Sequence, residues 1–397
     1  MVRPLLLAWA VPVFWGFAFS SEAQAQEPKP DTIYSKLVRS VARVQTPSGS
    51  GTAWVYDAER RLLVTNYHVV ADNRTRSKTA NQQFISFDEV ELVFPQFTPD
   101  GRSVGEKTEY AKVKVVTARV IDSDSRRDLA LLQADELPPG TREIPLAAAL
   151  PEPGDAIHSV GNPGVSSFFW VYSKGYVRQM GHGVSQIGKD VTYYCATHVI
   201  ETQSPTNPGD SGSPMANDRG ELVGVHHAGS KTVGALTNSA IGLPTFKQYA
   251  ADVAPLIEPR TAGEFANRAN HYLARDRFAL AEVDFRRAIA EFERLPLRMD
   301  VNFLFSNWQH CQAMLASTLA NQFKYDAAKR TIDKLIEKEP KYAFAFAMRA
   351  QIRWQRSLTP IDLLLGISNV TADNEAILAL QRNRSFWYPS LPREGIQ

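Results

Sequence analysis

"NPGDSGSP" at residues 207–214 is the most informative segment of the chain. It sets Ser211 in a Gly-Asp-Ser-Gly turn. Glycines let the backbone fold tightly and aim its amides toward one point. Amides converging in this way can hold the oxyanion of a tetrahedral intermediate. The same residue types are also ordinary loop formers, so the segment needs support from elsewhere in the chain.

That support lies upstream. A serine hydroxyl is a poor nucleophile without a base, and the base needs an orienting acid. His68 follows the apolar run of "LLVTNYHVVAD", and Asp128 precedes another apolar run in "SRRDLALLQ". Each sits at the edge of a β-like segment. Alone, such a histidine reads as structural and such an aspartate as a loop end. Together the three fall in the order His68, Asp128, Ser211. That is the chymotrypsin order, not that of subtilisin or the α/β-hydrolases.

Further motifs extend the pattern. "SGSGTAWVYDAERRLLVTNYHVV" (48–70), "RRDLALLQ" (126–133), "SVGNPG" (159–164), "SKGYVR" (173–178), "IETQSPTNPGDSGSP" (200–214), "GELVGVHHAG" (220–229) and "AIGLP" (240–244) follow one another in register. Through them residues 36–258 resemble the trypsin-fold serine proteases of bacterial HtrA/Deg type. The resemblance implies an all-β double barrel. It implies His68 as general base and then acid, Asp128 as the group fixing the imidazole tautomer, and Ser211 as nucleophile. It gives the oxyanion hole to the backbone amides of Gly209 and Ser211. Two departures stand out. Asp210 occupies a place where HtrA proteins often carry Asn, with no matching activation site to supply a new N-terminal partner. HtrA proteins also usually continue into a PDZ module, whereas the residues after 258 here read as helical repeats.

The resemblance extends to specificity. "SGSPMANDRGELVGVH" (211–226) is similar to bacterial glutamyl endopeptidases, which place a Thr and a His beside the nucleophile to hold a Glu side chain. The matching positions are Thr206 and His226. Histidine can donate to a carboxylate and a Thr hydroxyl can add a second bond. The other reading makes His226 an inward strand residue beneath a pocket for small apolar side chains.

The chain has 397 residues, a net charge of +2 and 44% hydrophobic residues. Such a length suggests two or three domains with sizeable cores. The charge implies no strong field for nucleic acid or membranes. Arg3, the apolar "LLLAWAVPVFWGFAF" and Ala23-Gln24-Ala25 read as a secretory signal over 1–25, cleaved before Gln26. The expected location is periplasmic or secreted. Membrane association follows only if the signal stays uncleaved. The two cysteines, Cys195 and Cys311, read as small buried thiols. No metal-ligand spacing appears, and adjacent His226 and His227 should face opposite sides of a strand. Neither a metal nor a cofactor is expected.

Residues 32–45 read as an amphipathic helix running into a strand. Short apolar runs broken by turn formers fill 46–245. The stretches 75–84 and 94–110 read as exposed loops, and 244–257 as a closing helix. This bounds a protease domain at 26–258. Beyond it the period becomes helical. Ala269, Tyr272, Ala281, Phe285 and Ala288 fall at tetratricopeptide spacing. A second copy over about 309–342 carries Ala316, Leu319, Ala328, Ile332, Leu335 and Pro340. Some 13 residues around 296–308 separate the copies, and a further helix covers 341–357. The expectation is an all-α tetratricopeptide-like domain at 259–357, then a helical segment and tail at 358–397. Such repeats form grooves for protein partners. The whole reads as a multidomain serine endopeptidase acting on proteins or peptides, with repeats recruiting substrate or partner. Competing readings are a scaffold that has lost catalysis, a chaperone-like binder with secondary proteolysis, and an esterase.

Overall fold

Among the described residues, fourteen strands and eight α-helices form in the order that the changing hydrophobic period dictates. The computed structural model describes residues 32–77, 84–187, 193–229, 237–295 and 301–357. The signal at 1–25, the side chain of Cys195, Pro296 and the tail at 358–397 lie outside the described residues. A short helix α1 (Ile33–Val38) enters β1 (Val41–Thr46), as the sequence suggests, with Thr32 capping the helix through its side chain. Then come β2 (Gly49–Asp57), β3 (Leu62–Thr65), the one-turn helix α2 (Tyr67–Val70), β4 (Ala71–Arg76), β5 (Phe84–Ser86), β6 (Glu89–Val93), β7 (Val116–Asp124) and β8 (Leu129–Ala134). The second half of the β region holds β9 (Ala156–Gly161), β10 (Val171–Ile187), β11 (Tyr193–Thr202), β12 (Pro214–Ala216), β13 (Leu222–Gly229) and β14 (Asn238–Gly242).

Two closed antiparallel barrels result, ordered β1-β2-β3-β8-β7-β6 and β10-β11-β14-β13-β12-β9. Closure pairs every barrel strand and leaves no free edge. The inner faces of the first barrel collect Val44, Ala53, Val55, Leu63, Val120 and Leu132. Its opposite faces, with Trp54, Val64, Leu129 and Leu131, join a larger core shared with the second barrel and the closing helix α3 (Leu243–Ile257). Burial on both faces explains why "LLVT" and "LALL" read as continuous apolar runs rather than alternating ones.

The two stretches expected as exposed loops are only partly so. Thr75 and Arg76 end β4, and Phe84 is buried at the start of β5. In 94–110, Phe94 and Tyr110 are buried, and the Tyr110 hydroxyl accepts the Trp170 indole N–H at 2.7 Å. Two aromatic anchors hold an otherwise polar segment to the core.

Among the described residues, five helices follow α3: α4 (Ala262–Leu273), α5 (Phe278–Arg294), α6 (Val301–Asn321), α7 (Tyr325–Lys338) and α8 (Ala343–Ser357). Each packs on the next. Thr261 and Glu264 close a capping box at the start of α4. Every apolar position singled out in the two copies, from Ala269 to Leu335, is buried in one cluster. Within the separation expected around 296–308, α6 starts at Val301, so much of it is helical.

The helical region is docked on the first barrel. Asp122, 1% exposed, follows a register shift in β7 that breaks the strand's alternation. His271 Nε2 of α4 meets its Oδ1 at 2.5 Å, and Arg275 Nε lies 3.3 Å away. Burial alone would raise the Asp122 carboxyl; the His271 hydrogen bond and the Arg275 charge outweigh it and hold the carboxyl below its usual range. Arg277 reaches Asp88 at 3.1 Å, and Ser77 donates to Asp276 at 2.7 Å. Inside the helical region, Arg268 grips Asp284 through two bonds of 2.6 and 2.9 Å. It also donates to the Leu256 carbonyl at the end of α3. Breaking a buried ion pair by removing one partner costs about 3–5 kcal/mol. The double substitution His271→Ala/Arg275→Ala should therefore lower the melting midpoint of the β barrels, read by near-ultraviolet circular dichroism. An unchanged midpoint would show that the docking contributes nothing.

Candidate active site

His68 lies on α2, a single turn entered through Asn66 immediately after β3. Its Nδ1 sits 2.9 Å from Asp128 Oδ2 and 3.1 Å from Oδ1, and its backbone N–H donates to Oδ1 at 3.1 Å. Asp128 directly precedes β8 with φ +53°, a left-handed conformation that Asp tolerates better than most residues. The Asn66 amide donates to its carbonyl at 2.9 Å. The carboxylate is fully buried. Burial alone would raise it. The charge of His68, then hydrogen bonds from His227 and His68, outweigh burial and hold it below the ordinary carboxylate range. An imidazole gripped at Nδ1 by a buried carboxylate keeps one tautomer and leaves Nε2 for proton transfer.

Ser211 is brought to the same place through β2. Thr52 donates its backbone N–H to the Ser211 carbonyl at 2.8 Å, and its hydroxyl donates to the Gly209 carbonyl at 2.9 Å. Thr65 in turn donates to the Thr52 carbonyl at 2.7 Å. One residue earlier, a Cβ on Gly51 would lie 2.6 Å from Val69, the neighbour of His68, and 3.0 Å from the Ser211 carbonyl. Gly51 is thus the joint where the two halves meet. Ser211 and His68 share no hydrogen bond among the described residues.

The turn itself needs its glycines. Gly209 has φ +107°, and a Cβ there would strike the Asn162 carbonyl at 2.3 Å. Gly212 has φ +85°, and its Cβ would strike the Thr52 carbonyl at 2.1 Å. The Gly209 and Ser211 amides, expected to form the oxyanion hole, donate to no acceptor among the described residues.

Asp210 finds its place without a cation. Its Oδ2 accepts the Asn207 backbone N–H at 2.8 Å, and Oδ1 occupies the space a Cβ on Gly161 would need. Burial pushes its carboxyl up to about 6.

Of the two expected pocket residues, His226 is 3% exposed with Nδ1 unpartnered. Burial, then the charges of His227 and His68, push its ring down to about 3, so it is neutral at neutral pH. Thr206 donates to Asn238 Oδ1 at 2.6 Å, and no hydrogen bond joins it to His226. Cys311 is a free, buried thiol pushed up to about 12. No cluster of three metal-ligating residues occurs among the described residues.

Two contributors escaped the sequence reading. Thr52 carries no signal beyond its place after "SGSG". His227 reaches Asp128 only because of an irregularity in β13.

With this geometry in place, the comparisons are specific. The family model of the trypsin-like peptidase domain matches residues 51–225. Similar proteins include Protease Do-like 1, chloroplastic, of Arabidopsis thaliana, 25% identical over 226 residues, covering 55% of this chain and 43% of that protein. Serine protease HTRA1A of Danio rerio is 28% identical over 198 residues, covering 49% and 33%. The chain thus spans less than half the length of the curated relatives it matches. Among solved structures, the active form of the Rv3671c protease from M. tuberculosis gives a TM-score of 0.42 at 19% identity, covering 63% of this chain and 93% of that one.

The elevated carboxyl of Asp210 makes a prediction about stability. Its folded value lies above the unfolded one, so the associated stabilisation is complete below about pH 3.8 and is lost as the pH rises through about 6. At pH 8 the buried charge then costs on the order of 3 kcal/mol relative to a neutral side chain. Asp210→Asn should melt higher than wild type at pH 8 and alike at pH 4. A difference independent of pH would contradict this.

Proposed function

We propose that the protein is a serine endopeptidase working through His68, Asp128 and Ser211. The observation that carries this reading is the His68 imidazole held at Nδ1 by the buried Asp128 carboxylate, with the Ser211 turn fastened to the same strand at Thr52. Support comes also from the match of this segment to the trypsin-like peptidase domain. In the proposed reaction, His68 takes the Ser211 proton as the hydroxyl attacks the peptide carbonyl. The Gly209 and Ser211 amides receive the oxyanion, and His68 returns the proton to the leaving amine. Water then hydrolyses the acyl-enzyme by the same route. Asp128 stays ionised and orients the ring throughout.

Further parts of the proposal concern substrate and place. The residue before the scissile bond is acidic. His226 contributes a buried nitrogen that has no acceptor in the resting protein, and a buried polar atom of this kind calls for a partner. A substrate carboxylate is such an acceptor, with Thr206 adding its hydroxyl on release from Asn238. The helical region recruits protein substrates or partners beside the barrels. Arg3, the apolar segment and Ala23-Gln24-Ala25 direct the protein to the periplasm or outside the cell.

The test is turnover of a peptide series differing only in Glu, Gln or Val before the scissile bond. Wild type should cleave the Glu peptide fastest. Ser211→Ala and His68→Ala should each lower turnover by about 10⁴–10⁶, and the double variant should lose little more. Turnover unchanged in His68→Ala would remove the mechanism. Equal cleavage of all three peptides would remove the acidic preference alone.

A further inference from the structure

The Asp128 carboxylate faces two imidazoles. His68 Nδ1 lies 2.9 Å from Oδ2, and His227 Nδ1 lies 3.4 Å from the same oxygen. The side chains of His227 and Asp128 are both 0% exposed. This approach is unexpected for β13. Neighbouring strand residues point to opposite faces, so a strand that turns His226 inward should turn His227 away. Yet both are buried, at 3% and 2%. The pairing of β13 with β14 explains it. His226 pairs with Ala240 and Ala228 with Ser239, which makes His227 an extra residue in the ladder. A bulge of this kind bends the strand and re-aims one side chain. Here it turns the imidazole onto Asp128.

We propose that His227 is a positioning residue, whose Nδ1–H is a second imidazole donor to Asp128 and fixes the carboxylate that orients His68. This rests on the serine-endopeptidase reading for its catalytic consequence, and on geometry alone for the contact. A buried carboxylate with a single side-chain partner could swing about its Cβ–Cγ bond. A second donor on Oδ2 pins it, together with the His68 backbone N–H on Oδ1. His227 also contributes to holding the Asp128 carboxyl low. His227 does not touch the reacting atoms, so it acts only through Asp128.

Two substitutions separate positioning from packing. His227→Phe keeps a ring of similar volume and removes the donor. His227→Asn places an amide nitrogen where Nδ1 stands. Losing a hydrogen bond to a charged group predicts a fall in kcat of roughly 10–100-fold for His227→Phe. KM should stay within about twofold, because substrate binding does not use the group. His227→Asn should recover most of the loss. Alongside, proton NMR of the wild type should show two downfield imidazole N–H signals. One should vanish in His227→Phe and both in Asp128→Asn.

Wild-type kcat in His227→Phe would overturn the proposal. So would equal losses in both variants that track a common drop in melting midpoint, or a single downfield signal in the wild type. The NMR experiment needs no substrate. Two Asp128-dependent signals in a protein that cleaves no peptide would uphold the contact and reject the endopeptidase reading instead.

Discussion

The Asp128 carboxylate is an ionisable group with no exposure to solvent, and much of the β region is arranged around it. A buried carboxylate without partners would be driven to its neutral form. Here two imidazoles and a backbone amide meet it, and Asn66 holds its carbonyl. These contacts come from three elements: Asn66 in the turn after β3, His68 on the one-turn helix α2 and His227 at the bulge in β13. The left-handed backbone of Asp128 is over-determined by these contacts, as local strain requires in order to persist. The two barrels meet at this carboxylate, with His68 and Asp128 from the first and His227 from the second.

A second buried carboxylate governs how the helical region is attached. Asp122 lies on the strand leading to the Asp128 turn, and His271 and Arg275 of α4 satisfy it. Arg127, next to Asp128, pairs with Asp252 of α3. The hairpin that presents Asp128 is therefore fastened from outside by α3 and α4. The helical region is a structural neighbour of the β7–β8 hairpin, and its contacts extend to Asp88 and Ser77 on adjoining elements.

Much of this was legible in the sequence because the signals are local. The runs before His68 and after Asp128 announced strands, and "NPGDSGSP" announced a turn whose glycines do adopt positive φ. The alanine spacing in 262–335 gave the helical core position by position. What stayed hidden depends on non-local geometry. His227 was read as facing away from His226 because a bulge is invisible to a period of two. The Asp122–His271 contact joins residues 149 positions apart, and neither has a local reason to be buried. Thr52 acts through a hydroxyl and an amide that no periodicity marks. The Val301 start of α6 was missed because Pro296 looked like a longer break than it is. The partner of Asp210 was missed because it is a backbone amide and not a cation.

The central claim is that Asp128 makes Ser211 nucleophilic through His68. The most direct measurement is the rate of covalent labelling by a fluorophosphonate probe, followed by intact mass on protein beginning at Gln26. The account predicts one adduct on the wild type, none on Ser211→Ala, and labelling slowed by several orders of magnitude in Asp128→Asn, which holds His68 in the wrong tautomer. Labelling of Asp128→Asn at the wild-type rate, or an undiminished adduct on Ser211→Ala, would contradict it.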